Sequence, residues 1–123
     1  MRLDQFPETI QPHLIPEPGG ELVYRCLACQ AEHGITSLLY TCPDCGKVLL
    51  LHDRQFDRLK AVDGETWRQI LDYRRMLKIP ALKGIYRYHE FLGPVIPLDA
   101  VVYLGEGHTP VVEANDILQK KAG

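Results

Sequence analysis

The chain has 123 residues, 46% of them apolar, with nine prolines, ten glycines and four cysteines. That length suits one small domain, or a small module with an appendage, rather than several domains. The formal charge of -2 argues against a nucleic-acid footprint, and no apolar run approaches the ~18 residues of a membrane span.

The first segment, 1–20, carries Pro7, Pro12, Pro16 and Pro18 and ends in Gly19-Gly20. Each proline fixes φ and removes a donor, so the spacing predicts an extended tail or strap rather than a regular helix. Met1 to Pro7 lacks the apolar core of a signal peptide. The expected setting is therefore cytoplasmic, with reduced thiols.

Residues 21–53 read as a zinc ribbon. Glu21–Arg25, Ser37–Thr41 and Lys47–His52 are the predicted strands, rich in Val, Leu and Tyr. Each of the first two leads into a Cys-x-x-Cys turn: Cys26-Leu27-Ala28-Cys29, then Cys42-Pro43-Asp44-Cys45 after twelve residues. Two such turns at this separation are the signature of a structural zinc site, each turn giving two thiolates. The predicted ligands are Cys26, Cys29, Cys42 and Cys45. Gly46 follows the second pair, where a positive φ is expected. Two disulfides would need an oxidising compartment, and redox chemistry at one pair would leave the other unexplained. With four thiolates at hand, neither His33 nor His52 is needed as a ligand, and His13 reads as an exposed histidine. Tyr24, Leu39, Leu49 and Leu51 are the expected core of the ribbon.

Residues 54–83 read as a linker and an amphipathic helix. From Glu65 to Leu77, Trp67, Ile70, Leu71 and Leu77 recur at helical steps on one face. Asp63 or Gly64 can start this helix and Pro80 ends it. Arg74-Arg75 reads as part of its solvated face. Beyond, Ile85–Leu92 suggests a short helix, Val101–Leu104 a strand, Gly105–Pro110 a loop, and Ala114–Lys121 a last helix. Gly105-x-Gly107 is too short for a phosphate-binding fingerprint. Taken from its residues alone, the fold is small α+β: three short antiparallel strands around a four-cysteine zinc site, then a helix.

The order of motifs resembles the threonine synthase family. Tyr24-x-Cys26-x-x-Cys29, Cys42-Pro43-x-Cys45-Gly46, Tyr86-Arg87-Tyr88 and Leu104-Gly105-Glu106-Gly107-His108-Thr109-Pro110 follow one another as in that family, with His108 where Asn is usual. The resemblance covers residues 24–112. It implies a pyridoxal phosphate lyase of fold type II, which converts O-phospho-L-homoserine to L-threonine and phosphate. On it, residues 84–123 are the truncated start of the catalytic α/β domain, with its first strand and helix elements, and the zinc segment is a structural cap. Thr109 would approach the substrate cleft. The family's cofactor lysine lies in an Asn-Pro-Thr-Gly-Ser-Phe-Lys-Asp-like stretch, which these residues do not contain. Pyridoxal phosphate is thus expected only in the full-length enzyme, and the partner of this segment is the remainder of the catalytic domain.

Two other readings compete. A stand-alone ribbon can bind a protein or nucleic acid. Between Cys26 and Gly46 there is no Lys or Arg, while Glu32 and Asp44 are acidic, which disfavours nucleic acid. A metal chaperone would need a site that lets its ion go, and a closed four-thiolate site does not.

Overall fold

The computed structural model describes residues 2–107 and 109–122. It is a small α+β protein with two parts, a three-stranded antiparallel sheet and a body of short helices.

The sheet has the order β2-β1-β3, from β1 (Leu22–Cys26), β2 (Glu32–Gly34) and β3 (Leu49–Asp53). Tyr24 of β1 pairs with His33 on one side and Leu51 on the other. The middle strand is not the one expected. Ser37–Thr41 is irregular, with Leu38 and Tyr40 exposed, and Glu32–Gly34 takes its place. The reason is the first knuckle, which itself forms the hairpin. Cys26 N–H donates to Ala31 O at 2.9 Å, so the chain leaves the knuckle running back along β1. The sheet also has little apolar interior. Leu51 is 57% exposed, not core as expected, while Val23, Cys26 and Cys42 are buried.

The sheet's ends are tied by charge. Asp53 accepts from Glu21 N–H at 3.0 Å and Gln55 N–H at 2.9 Å, and pairs with Arg58. Burial alone would raise the Asp53 carboxyl, but these donors overcome it and hold the group below its usual range. Arg54 reaches Glu32 at 2.7 Å and Glu21 at 2.9 Å, joining residues next to β1 and β3 to β2.

The helical body owns the main core. Phe6, Ile10 and Leu14 from the N-terminal segment meet Ile70, Leu77 and Leu82. The expected strap thus contains one helical turn, α1 (Gln11–Leu14), which packs on α2 (Gly64–Arg74). Pro12 is tolerated there because it sits in the first turn, where an N–H has no partner to lose. Helix α2 starts as its sequence directs. Asp63 caps it, accepting from Thr66 N–H at 2.8 Å and Thr66 Oγ1 at 2.9 Å. The helix stops at Arg74, three residues before Leu77, because the chain tightens into i→i+3 turns from Arg75 to Leu77.

Arg74 is not on a solvated face. Its side chain is fully buried and donates to His13 O, Leu14 O and Arg87 O as well as to Glu90. It thereby satisfies the last carbonyls of α1, which have no partner within so short a helix. Trp67 donates from Nε1 to Leu59 O at 3.0 Å and meets Phe91 edge-on, with ring centroids 5.0 Å apart.

The segment Ile85–Tyr88 is a 3₁₀ turn that runs into α3 (His89–Leu92), as expected of a short helix. Val101–Leu104 forms no strand: it meets no sheet edge, and Val102 and Leu104 are exposed. The last helix, α4 (Asp116–Ala122), is exposed along its length. Among the described residues beyond 84 the regular elements are short helices, with no strand. No helix among the described residues is long and apolar enough to cross a membrane.

Candidate metal centre

The four cysteines converge between the ends of β1 and β3. Cys26 closes β1, and Cys29 lies across the turn that follows it. Cys42 and Cys45 sit on the second turn, which returns to β3. Cys26 Sγ lies 3.4 Å from Cys45 Sγ, and Cys29 Sγ lies 3.7 Å from Cys42 Sγ. All four sulfurs are within 4.8 Å of one another. A disulfide would need about 2.05 Å. A tetrahedron with metal–sulfur bonds of about 2.3 Å has edges of about 3.8 Å. The observed spacing is that of a metal-binding tetrad.

The two knuckles are near copies of one another. Gln30 N–H donates to Cys26 O at 3.1 Å, and Gly46 N–H donates to Cys42 O at 2.8 Å. Cys26 N–H reaches Ala31 O, and Cys42 N–H reaches Lys47 O, both at 2.9 Å. The residue after each second cysteine has positive φ: Gln30 at 65° and Gly46 at 75°. The expectation for Gly46 therefore holds. Its counterpart at Gln30 could not be read from a residue type that seldom adopts this conformation.

The thiols ionise unequally. The Cys29 N–H, aimed at Cys26 Sγ, holds the Cys26 thiol down to about 6 against the opposing effect of burial. The Ala31 N–H pulls Cys29 the same way, but burial and the adjoining sulfurs push it up to about 12. Cys45 is also raised: Lys47 N–H lowers it, and the Cys26 sulfur and burial prevail. Once one thiolate forms, its neighbours resist ionising. A divalent cation among them reverses that, since it favours all four anions together.

Two histidines, His33 and His52, are expected beside the site but not as ligands. His52 lies on β3 opposite Val23. His33 is beside the site: its Nε2 is 3.7 Å from Cys42 Sγ and 3.8 Å from Asp44 Oδ2. His13 lies by the ring of Trp67, 6.5 Å between centroids.

Thr109, the residue expected at a substrate cleft, is exposed; His108 beside it lies outside the described residues. The preceding loop folds onto Gly84. A Cβ added at Gly84 would lie 2.9 Å from Glu106 Oε1 and 3.2 Å from Glu106 O. Gly84, Ile85, Arg87, Tyr88, Glu106 and Gly107 line a recess of about 360 Å³ there. The tetrad takes no part in it. No protein-family model, curated protein or solved structure matches the chain.

Proposed function

We propose that the tetrad holds one structural zinc ion, and that the chain is the metal-held N-terminal segment of a threonine synthase. The observation that carries the first part is the spacing of four sulfurs on two matched knuckles. A four-thiolate tetrahedron suits zinc or iron, and zinc needs no redox partner. With all four positions taken by protein, the ion has no place for a substrate, so its role is to hold the ribbon. A sheet with so few buried side chains gains little from apolar burial. A structural zinc adds about 10–16 kcal/mol of apparent binding free energy at neutral pH, enough to decide whether the ribbon folds.

The second part rests on the ordered motifs from Tyr24 to Pro110. No lysine of the chain sits in a Ser-Phe-Lys-Asp-like setting, so the residues present do not fit pyridoxal phosphate. Its chemistry belongs to residues outside these. The exposed faces of Val111, Val112, Ile117 and Leu118 suit a segment covered by a larger catalytic body.

Elemental analysis of freshly purified, reduced protein tests the metal reading, with one zinc per chain expected. Iron in its place would redden the protein. The enzyme reading is tested by the genomic reading frame beyond residue 123, which is expected to continue into the cofactor-lysine motif. A frame lacking that motif favours a second reading, a ribbon that binds a protein partner. One observation supports that alternative: Leu27, Leu38, Tyr40 and Val48 are all more than half exposed on the ribbon.

A further inference from the structure

The knuckles match in backbone but not around their leading sulfurs. Cys26 Sγ receives two backbone N–H groups, from Ala28 and Cys29, both at 3.4 Å. Its counterpart in the second knuckle is Cys42 Sγ. Among the described residues no backbone N–H donates to Cys42 Sγ; its nitrogen neighbour is His33 Nε2, at 3.7 Å. This is hydrogen-bonding distance for a sulfur acceptor. Cys42 is 2% exposed, so water does not readily supply the missing donor.

We infer that His33 is a positioning residue for the metal site, donating its Nε2–H to the Cys42 thiolate in place of the backbone donors that Cys26 enjoys. The inference rests on the metal reading above. His33 is well placed for it. It is the middle residue of β2, held in register opposite Tyr24, and its side chain is 19% exposed. Both neighbours of Nε2 are acceptors, the Cys42 sulfur and the Asp44 carboxylate, so the ring hydrogen belongs on that nitrogen. Four thiolates around a divalent ion carry two surplus negative charges. Each N–H aimed at a sulfur spreads that charge and weakens repulsion among the ligands. A thiolate with no donor keeps its full share of that charge and is repelled most by the other three. Cys42 is then the sulfur at which release of the ion begins when His33 is removed.

The test uses the full chain, wild type and three variants, each loaded with zinc or with cobalt(II). The readout is metal release to a chromophoric chelator. Loss of such outer-shell partners typically costs 10- to 100-fold in metal affinity. His33→Ala is therefore expected to release zinc at least about 10-fold faster, and His33→Gln, which keeps an N–H donor, to recover most of the difference. Asp44→Asn is expected to release no faster than wild type, because Asp44 competes for the same hydrogen. All four proteins are expected to bind one cobalt(II) with the absorption of a four-thiolate site. Unchanged release from His33→Ala would overturn the inference. So would equal acceleration by Asp44→Asn, which would make the Asp44 contact the one that matters. A cobalt spectrum that loses a nitrogen ligand in His33→Ala would make His33 a ligand rather than a positioning residue, and overturns it too. A wild type that takes up no metal sinks the metal reading itself, a result separate from all of these.

Discussion

Arg74 and Glu90 meet side by side, both terminal guanidinium nitrogens on both carboxylate oxygens, and the arginine side chain has no exposed surface. The same guanidinium also holds the carbonyls of His13, Leu14 and Arg87. One side chain thus joins the N-terminal segment, α2 and α3. Removing one partner of such a buried pair leaves the other charged and unpaired, which costs about 3–5 kcal/mol. Arg74→Ala is expected to lower the urea midpoint accordingly. Arg74→Lys should recover little, since an ammonium cannot form the planar fork or reach the three carbonyls together.

The ribbon and the helical body have separate supports, sulfur in one and apolar packing in the other. Metal removal should therefore act locally. With a strong chelator and reductant, backbone amides of β1, β2 and β3 are expected to lose hydrogen-exchange protection. Those of α2, anchored by Ile70 and Arg74, are expected to keep it. Exchange read by mass spectrometry on peptides 22–53 and 64–74 checks this. Loss in both at once would show that the parts are not independent.

Gln30 and Gly46 occupy matching positions with nearly the same φ, 65° and 75°. A residue with a Cβ is strained there by about 1–2 kcal/mol. Gln30→Gly is expected to raise the stability of the metal-loaded protein by up to about 1 kcal/mol, less the loss of the Gln30 contact to Leu27 O. Gly46→Val is expected to lower it. Thermal unfolding of the zinc-loaded variants gives the two signs.

Acid should weaken the sheet's closure at Asp53. This carboxyl is held below its ordinary range, so its contribution is full above the unfolded-state value, near pH 4. It is lost as the pH falls from there through the lower folded-state value. Asp53→Asn is expected to cost about 1–3 kcal/mol at pH 7, where Arg58 loses its buried partner. The gap between variant and wild type should close below pH 4. A gap that persists at pH 2 would mean that Asp53 acts through shape and not charge.

Much of the site was legible because it rests on spacing. Cys26, Cys29, Cys42 and Cys45 sit together because each Cys-x-x-Cys turn fixes two sulfurs locally, and the sheet need only bring two turns face to face. Helix α2 was legible for a similar reason: Asp63, Trp67 and Ile70 carry its start and its face within one short stretch. What escaped was non-local or unsupported by residue type. Glu32-His33-Gly34 has none of the residues that usually mark a strand, and becomes one only because the first knuckle turns the chain back along β1. Arg74 looks like any surface arginine until α1 and α3 close over it. Val101–Leu104 looked like a strand because of its valines, yet a strand exists only where an edge receives it.

The N-terminal segment and α2 come together across a wide gap in the chain. Arg74 and Leu14 are 60 positions apart, and within that span the touching ends of the ribbon, Glu21 and Asp53, are 32 positions apart. A folded ribbon is therefore a clasp that shortens the open span by about half. Halving a flexible loop lowers its closure cost by about 0.6 kcal/mol. The ion would then do more than hold its own strands: by pinching off the intervening chain, it would bring the helical halves into reach of one another sooner.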